Sequence, residues 1–222
     1  MANPESMDAA LSDRAADGGT GPDMPGSRPE PPVSADQESV PGTPGKAAAP
    51  PVPLDVVVLN ADLKFVDCSL LVGHYRSTTL TGAEAAIDLL MDRRMSRSMS
   101  AGLYPSAPGS HQVFGSCGPL PNPRGCATRA SVVVVAGLGD EGELRPADLV
   151  YTVRQAILAF AQRLFEQEGP VKTAEFSMAA TLIGSGGSGI SAGCSAQSIV
   201  QAAHEANLKL QHADGWPRLG KL

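Results

Sequence analysis

Ser131–Ala136 (SVVVVA) is the stretch that most limits how this chain can fold. Four consecutive valines put β-branched side chains on both faces of a strand, and such a strand is stable only where both faces are covered. The run passes into Gly137-Leu-Gly139-Asp-Glu-Gly142-Glu-Leu144, and Pro146 stands where the first helical position belongs, with Asp148 favouring the same end. Leu149, Val150, Val153, Ile157, Phe160, Ala161 and Leu164 then mark one face over four turns, until Gly169-Pro170 stops the helix. A second unit repeats the pattern. Ala174–Ile183 (AEFSMAATLI) reads as a buried strand and Gly184-Ser185-Gly186-Gly187-Ser188-Gly189 follows it. A helix expected from near Ser195 carries Ile199, Ala202, Ala203, Ala206 and Leu210 along one side. Strand, glycine turn and helix, twice over, predict an α/β fold: a mostly parallel, mixed sheet flanked by helices.

Upstream, Leu54–Asn60 (LDVVVLN) is a further β-branched run suited to a strand covered on both faces, and Leu63–Val66 and Ser69–Val72 are shorter strand candidates. Thr81-Gly-Ala-Glu84 reads as a capping box. The helix it opens runs through Ala83, Ala86, Ile87, Leu90, Met91 and Met95, with Arg93, Arg94 and Arg97 on its solvated side. His111–Ser116 is an edge-strand candidate, Gly118–Gly125 with its three prolines a surface loop, and Leu103–Gly109 a rigid connection.

Residues 1–53 contrast with the rest. They hold 11 of the 19 prolines, 6 glycines, no aromatic residue, and eight acids against three bases. Such a segment buries too little apolar area to offset its chain entropy, so it reads as a disordered acidic tail, and 54–222 as a single α/β domain. The tail supplies −5 of the net charge of −6, which leaves −1 for the remainder. That balance shows no basic face of the kind needed to track duplex phosphates, so no nucleic acid duplex is expected as a partner. No stretch approaches the roughly 20 apolar residues of a membrane span, and the N-terminus lacks the pattern of a signal peptide. No membrane partner and a cytoplasmic location are the expectation. Cys68, Cys117, Cys126 and Cys194 form no Cys-x-x-Cys pair and have no histidine at ligand spacing, so free thiols, no metal and no cofactor are expected.

Both glycine turns follow strand ends and precede helices. In a parallel sheet those ends share an edge, so the turns would form two lips of one crevice. Glycines let backbone approach an anion, and the first amides of the next helix point at it with the dipole behind them. The candidate ligand-binding residues are therefore Gly184, Ser185, Gly186, Gly187, Ser188 and Gly189 on one lip, with Gly137 and Gly139 opposite. No Gly-Lys-Ser/Thr follows, which excludes a Walker loop, and no acid sits where a dinucleotide fingerprint needs one. His74 and Arg76, in Val72-Gly-His-Tyr-Arg76, are further candidates: Arg76 to pair with a phosphate or carboxylate, His74 either to face a ligand or to be a hydrogen-bonded residue at a strand end. Gly189-Ile-Ser191-Ala-Gly193 matches G-x-S-x-G, which would make Ser191 a nucleophile. However, the glycine loop separates it from the strand, and His204 lies about three helical turns away.

Several segments, in this order, resemble a domain found upstream of CHAT (caspase-like) protease domains in bacterial multidomain proteins. They are Asp62-Leu-Lys-Phe65, Leu71–Arg76, Thr81–Ala86, Gly102-Leu-Tyr-Pro105, Val135–Leu144, Leu182–Ser191 and Glu205-Ala-Asn207. The Val135-Ala-Gly-Leu-Gly139 segment and the helix after it are also similar to the macro-domain-like N-terminal domain of leucyl aminopeptidases. The resemblance implies a macro-domain-like fold, a nucleotide or phosphate pocket at Gly184–Gly189 and a peptidase-type protein partner. It brings no catalytic residue, because neither a CHAT nor a metallopeptidase domain is present. The related domain continues with another strand, so the reading here is a shortened relative ending at Trp216–Leu222. Three functions stay open: a non-catalytic sensing or regulatory module for a phosphate-bearing small molecule or nucleotide, a protein–protein interaction module without ligand, and a serine hydrolase using Ser191.

Overall fold

The computed structural model describes residues 53–115, 132–168, 175–187, 189–213 and 215–222. Residues 1–52, Cys117, Cys126, the Gly118–Gly125 stretch, Gly169-Pro170 and Ser188 of the sequence reading lie outside them. Among the described residues, five strands form one sheet: β1 (Ser69–Tyr75), β2 (His111–Gly115), β3 (Val132–Gly139), β4 (Glu175–Ala180) and β5 (Arg218–Lys221). Their order is β2-β3-β1-β4-β5, with β2 antiparallel to β3 and every other pair parallel. The expected mixed, mostly parallel sheet is therefore what forms. Its helices are α1 (Gly82–Leu90), α2 (Arg94–Ser100), α3 (Pro146–Glu168) and α4 (Ala192–Gln211).

The valine run of β3 is buried on both sides because successive side chains alternate between faces. Val134, Ala136 and Leu138 join Leu71 of β1 against α3 and α4, where Val153, Ile157, Phe160, Ala202, Ala203 and Ala206 meet them. Val133 and Val135 join Leu70 and Val72 against Ile87, Met91 and Met95 of the α1–α2 side. The in-register pairs Leu70↔Val133 and Leu71↔Val134 keep the two strands' faces matched across the sheet.

Three local expectations are corrected, and one element is added. Leu54–Asn60 is no doubly covered strand: only its start runs along β5, through Asp55 N–H to Gly220 O (2.9 Å) and Val57 N–H to Leu222 O (2.8 Å), while Val58 is 93% exposed. Its β-branched residues satisfy strand propensity, but no layer lies over them. Leu63–Phe65 is a 3-10 turn capped by Asp62. The single amphipathic helix is two helices, broken where Asp92 and Arg93 take left-handed backbone. The break is held by Asp88, which is buried and accepts from the Ser96 amide (3.1 Å) and the Ser96 hydroxyl. Finally, the last residues form a strand, β5, fixed by Asn207. That buried amide donates to Leu219 O (2.8 Å) and accepts from Leu219 N–H (3.0 Å), completing the pairing of a short strand end on.

Candidate functional site

The carboxyl ends of β1, β3 and β4 lie on one edge, as parallel pairing requires. After β4, Thr181 N–H still donates to Leu71 O (3.1 Å), and Ile183 is buried before the chain turns at Gly184. Gly184 has φ +82°, and a Cβ there would lie 2.8 Å from Leu144, so this glycine serves the turn itself. The Tyr75 hydroxyl donates to Gly184 O (3.3 Å), and Ser185 spends its hydroxyl on Leu182 O (2.7 Å). Gly186 and Gly189 are different. They are exposed, and a Cβ at either would meet nothing within 4 Å.

The helix after the loop starts earlier than expected, at Ala192. Ser191 is its N-cap, accepting from Cys194 N–H (3.2 Å), with Ser195 N–H donating to the Ser191 carbonyl (2.9 Å). Ser195 is buried and donates its hydroxyl to Ile183 O (2.7 Å), tying the helix start to the strand end. The amides of Ala192 and Gly193 have no partner among the described residues, as the first turn of a helix leaves them. Ser191 is thus a capping residue, and His204 stands about 20 Å further along α4 at the helical rise.

The opposite lip is not built from Gly137 and Gly139. Gly137 N–H donates to Ser110 O (2.9 Å) and Gly139 N–H to Ser106 O (2.8 Å), so both amides are spent on the Ser106–Ser110 loop. The Gly137 carbonyl accepts from buried Thr152 (2.9 Å). Close approach of that loop, with Gly137 free of a Cβ that would strike Ala107 O, explains the glycine. The turn beyond them faces the Gly184–Gly189 loop instead. A Cβ on Gly187 would lie 2.6 Å from Glu141 Oε1, and Glu141 is also the second cause, after burial, of an upward shift of the Tyr75 phenol. Arg76 pairs with Asp140 across the same edge at 2.8 Å, both half-exposed.

His74 is on the other face of β1 from Tyr75. It is buried, and its Nδ1 is 2.9 Å from Glu84 Oε2. Glu84 therefore makes no capping box, and Thr81 makes no side-chain cap. The other oxygen, Glu84 Oε1, accepts from the Tyr104 hydroxyl at 2.8 Å. Burial first, and the Glu84 carboxylate second, hold the Tyr104 phenol far above its ordinary range, so it remains the donor. The His74 and Tyr104 rings meet edge-on, with centroids 4.7 Å apart. His74 is a hydrogen-bonded residue at a strand end, as one of the two sequence readings had it. It also forms part of the wall of a cleft of about 760 Å³ together with Arg76, Ser77, Thr79, Arg93 and Tyr104. Glu84 and Tyr104 were missed from the sequence. Glu84 fits a capping pattern equally well, and Tyr104 sits in a proline-rich connection. Among the described residues, no group of three or more His, Cys, Asp and Glu is placed to hold a metal, and no helix is long and apolar enough to cross a membrane.

No protein-family model matches the chain, and no curated protein matches it. Among solved structures it is similar to the macrodomain of Mycobacterium tuberculosis DarG, at 16% identity and a TM-score of 0.44 over 74% of this chain and 95% of that one. The macrodomain of Thermus aquaticus DarG aligns with 75% of this chain and 95% of its own, again at 16% identity and a TM-score of 0.44. The bottromycin maturation enzyme BotP in complex with Mn aligns with 62% of this chain and 22% of its own, at 22% identity and a TM-score of 0.32.

Proposed function

We propose that this chain is a non-catalytic α/β module that binds a phosphate-bearing small molecule or nucleotide at the loop between β4 and α4. In this reading it has a sensing or regulatory role alongside a peptidase-type partner. The observation that carries the binding reading is the open backbone at Gly186 and Gly189, set directly before the unpaired Ala192 and Gly193 amides of a 20-residue helix. The phosphate lies over these glycines, and Arg76, released from Asp140, supplies the cation. Ser185 and Gly187 belong to the same loop, and Gly184 holds its turn. Glu141, beside Gly187, opposes an anion here. Its flexible end moves out as the ligand enters, so Glu141→Gln tightens binding of anionic ligands.

Thermal unfolding of the full chain with a panel of nucleotides, ADP-ribose and cyclic nucleotides among them, tests this directly. A ligand at about 100 times its dissociation constant adds about 2.7 kcal/mol, a rise of roughly 5–10 °C for a domain of this size. Gly186→Val abolishes the shift without changing the unliganded midpoint, because its side chain enters open space. A panel in which no nucleotide moves the midpoint refutes the reading.

One observation favours the alternative of a protein–protein interaction module. Val58 and Leu59 are 93% and 77% exposed, beside a groove of about 930 Å³ between Leu54, Val56 and the α4 residues Ala196, Val200 and His204. Under that alternative Gly186→Val leaves partner binding intact, and Leu59→Lys removes it.

A further inference from the structure

The cleft over His74 has its own chemistry, on the opposite face of β1 from the glycine loop. Glu84 accepts two hydrogen bonds, from Tyr104 and from His74 Nδ1. That fixes the histidine proton on Nδ1 and leaves Nε2 as an acceptor. No hydrogen bond to Nε2 forms among the described residues. The ring is 3% exposed, and it borders the cleft. A buried imidazole held by a buried carboxylate, in a residue that lines a cleft and with its second nitrogen unpartnered among the described residues, has the geometry of an oriented proton acceptor.

The rest of the wall mixes apolar residues (Leu80, Ala85, Leu89 and Met99) with polar ones, and it carries cations. Ser77, Thr78 and Thr79 line one side, and Arg76 and Arg93 are the basic groups. Arg93 has no ion-pair partner among the described residues, and its left-handed backbone (φ +54°) marks the break between α1 and α2. The acid among the described wall residues, Asp88, is occupied by Ser96. A cleft of about 760 Å³ is in the range of small-molecule sites.

We propose that this cleft is a second ligand site, for a small molecule that carries a hydroxyl beside a phosphate or carboxylate. The hydroxyl donates to His74 Nε2, and the anionic group pairs with Arg93, with Arg76 available at the rim. Glu84 and Tyr104 act as positioning residues by fixing the imidazole. The site does not depend on the Gly184–Gly189 loop.

The experiment is nitrogen-15 NMR of the full chain labelled at its four histidines, titrated with glycerol 3-phosphate, lactate and, as the uncharged control, glycerol. The unliganded spectrum should show His74 as the Nδ1–H tautomer at neutral pH. One of the two anionic probes should then move the Nε2 resonance in a saturable way, which also decides between phosphate and carboxylate, while glycerol does not. Arg93→Met should weaken the effective probe by about tenfold. Gly186→Val should leave the response unchanged, so failure at the glycine loop and failure here are separable. An Nε2–H tautomer, no movement with either anionic probe, or a response unaltered in Arg93→Met overturns the proposal.

Discussion

On the α3–α4 side of the sheet, Leu71, Val134, Ala136, Leu138 and Met178 meet helices whose inner residues are almost all aliphatic or small. On the α1–α2 side, Leu70, Val72, Val133 and Val135 meet three apolar helix residues. Beyond these, burial falls on His74, Glu84 and Asp88, with Tyr104 packed against them. One face is stabilised by area removed from water. The other needs a closed set of hydrogen bonds, because each buried donor or acceptor left unpaired costs more than the bond it made. A layer of that second kind can hold a polar side chain in a fixed orientation at a cleft wall, which an aliphatic layer cannot.

The contrast breaks first where packing alone is at stake. Phe160 of α3 is 2% exposed and meets Phe176 of β4 edge-on at 5.3 Å. Phe160→Ala should cost about 3–5 kcal/mol in two-state denaturant unfolding, independent of pH. On the polar side, Glu84→Leu is close in volume, so little cavity opens, but it strands the His74 and Tyr104 donors. The expected loss is about 2–4 kcal/mol, summing the two unpaired groups. Tyr104→Phe strands one acceptor, Glu84 Oε1, rather than two donors, and should cost less, about 1–3 kcal/mol. If Glu84→Leu proved neutral, the hydrogen-bonded layer would be contributing nothing and the comparison would fail.

These two faces also differed in how much of them could be read from sequence. The α3–α4 face was legible because β-branched runs and a 3.6-residue apolar period report burial directly, from Ser131–Ala136 through Phe160 to Ala206. The polar face was not. Glu84 lies three residues after Thr81, so the local capping pattern and the long-range bond to His74 predict the same residue type, and only tertiary structure separates them. The break at Asp92-Arg93 likewise depends on Asp88 reaching Ser96. At the glycine loop the sequence located the edge and the element order. It could not separate Gly184, needed for φ +82°, from Gly186, which is open, nor see that Gly137 and Gly139 are tied to the Ser106–Ser110 loop. The run Leu54–Asn60 misled because propensity records what a residue tolerates, not whether a layer covers it.

A polar residue on the apolar face sharpens the comparison. Asn207 is 3% exposed and holds both backbone groups of Leu219. Asn207→Leu should cost about 1–3 kcal/mol, and hydrogen exchange should show the loss confined to β5 and to Asp55–Val57 beside it. A global loss of protection would mean that Asn207 supports the α4 packing as a whole.

The smallest effect is expected from an ion pair that spans α3 and α4. Arg154 and Glu205 meet at the rim of that face, with side chains 21% and 30% exposed. Gln201, at 2.9 Å from Glu205 Oε1, is the first cause holding the Glu205 carboxyl below its ordinary range, and Arg154 is the second. A depressed folded-state pKa contributes stability that is present above the unfolded value, about 4.3 for a glutamate. That contribution disappears as pH falls through the folded value. Stability should therefore decline on acidification below about pH 4.3. Arg154→Met should reduce that decline only in part, since Gln201 remains, and should cost under about 1 kcal/mol at neutral pH because the pair is partly solvated. Urea midpoints of both proteins between pH 3 and pH 7 test the sign. A steeper acid decline in Arg154→Met would mean that another carboxylate gained the partner, and that charge on this face matters more than its position at the rim implies.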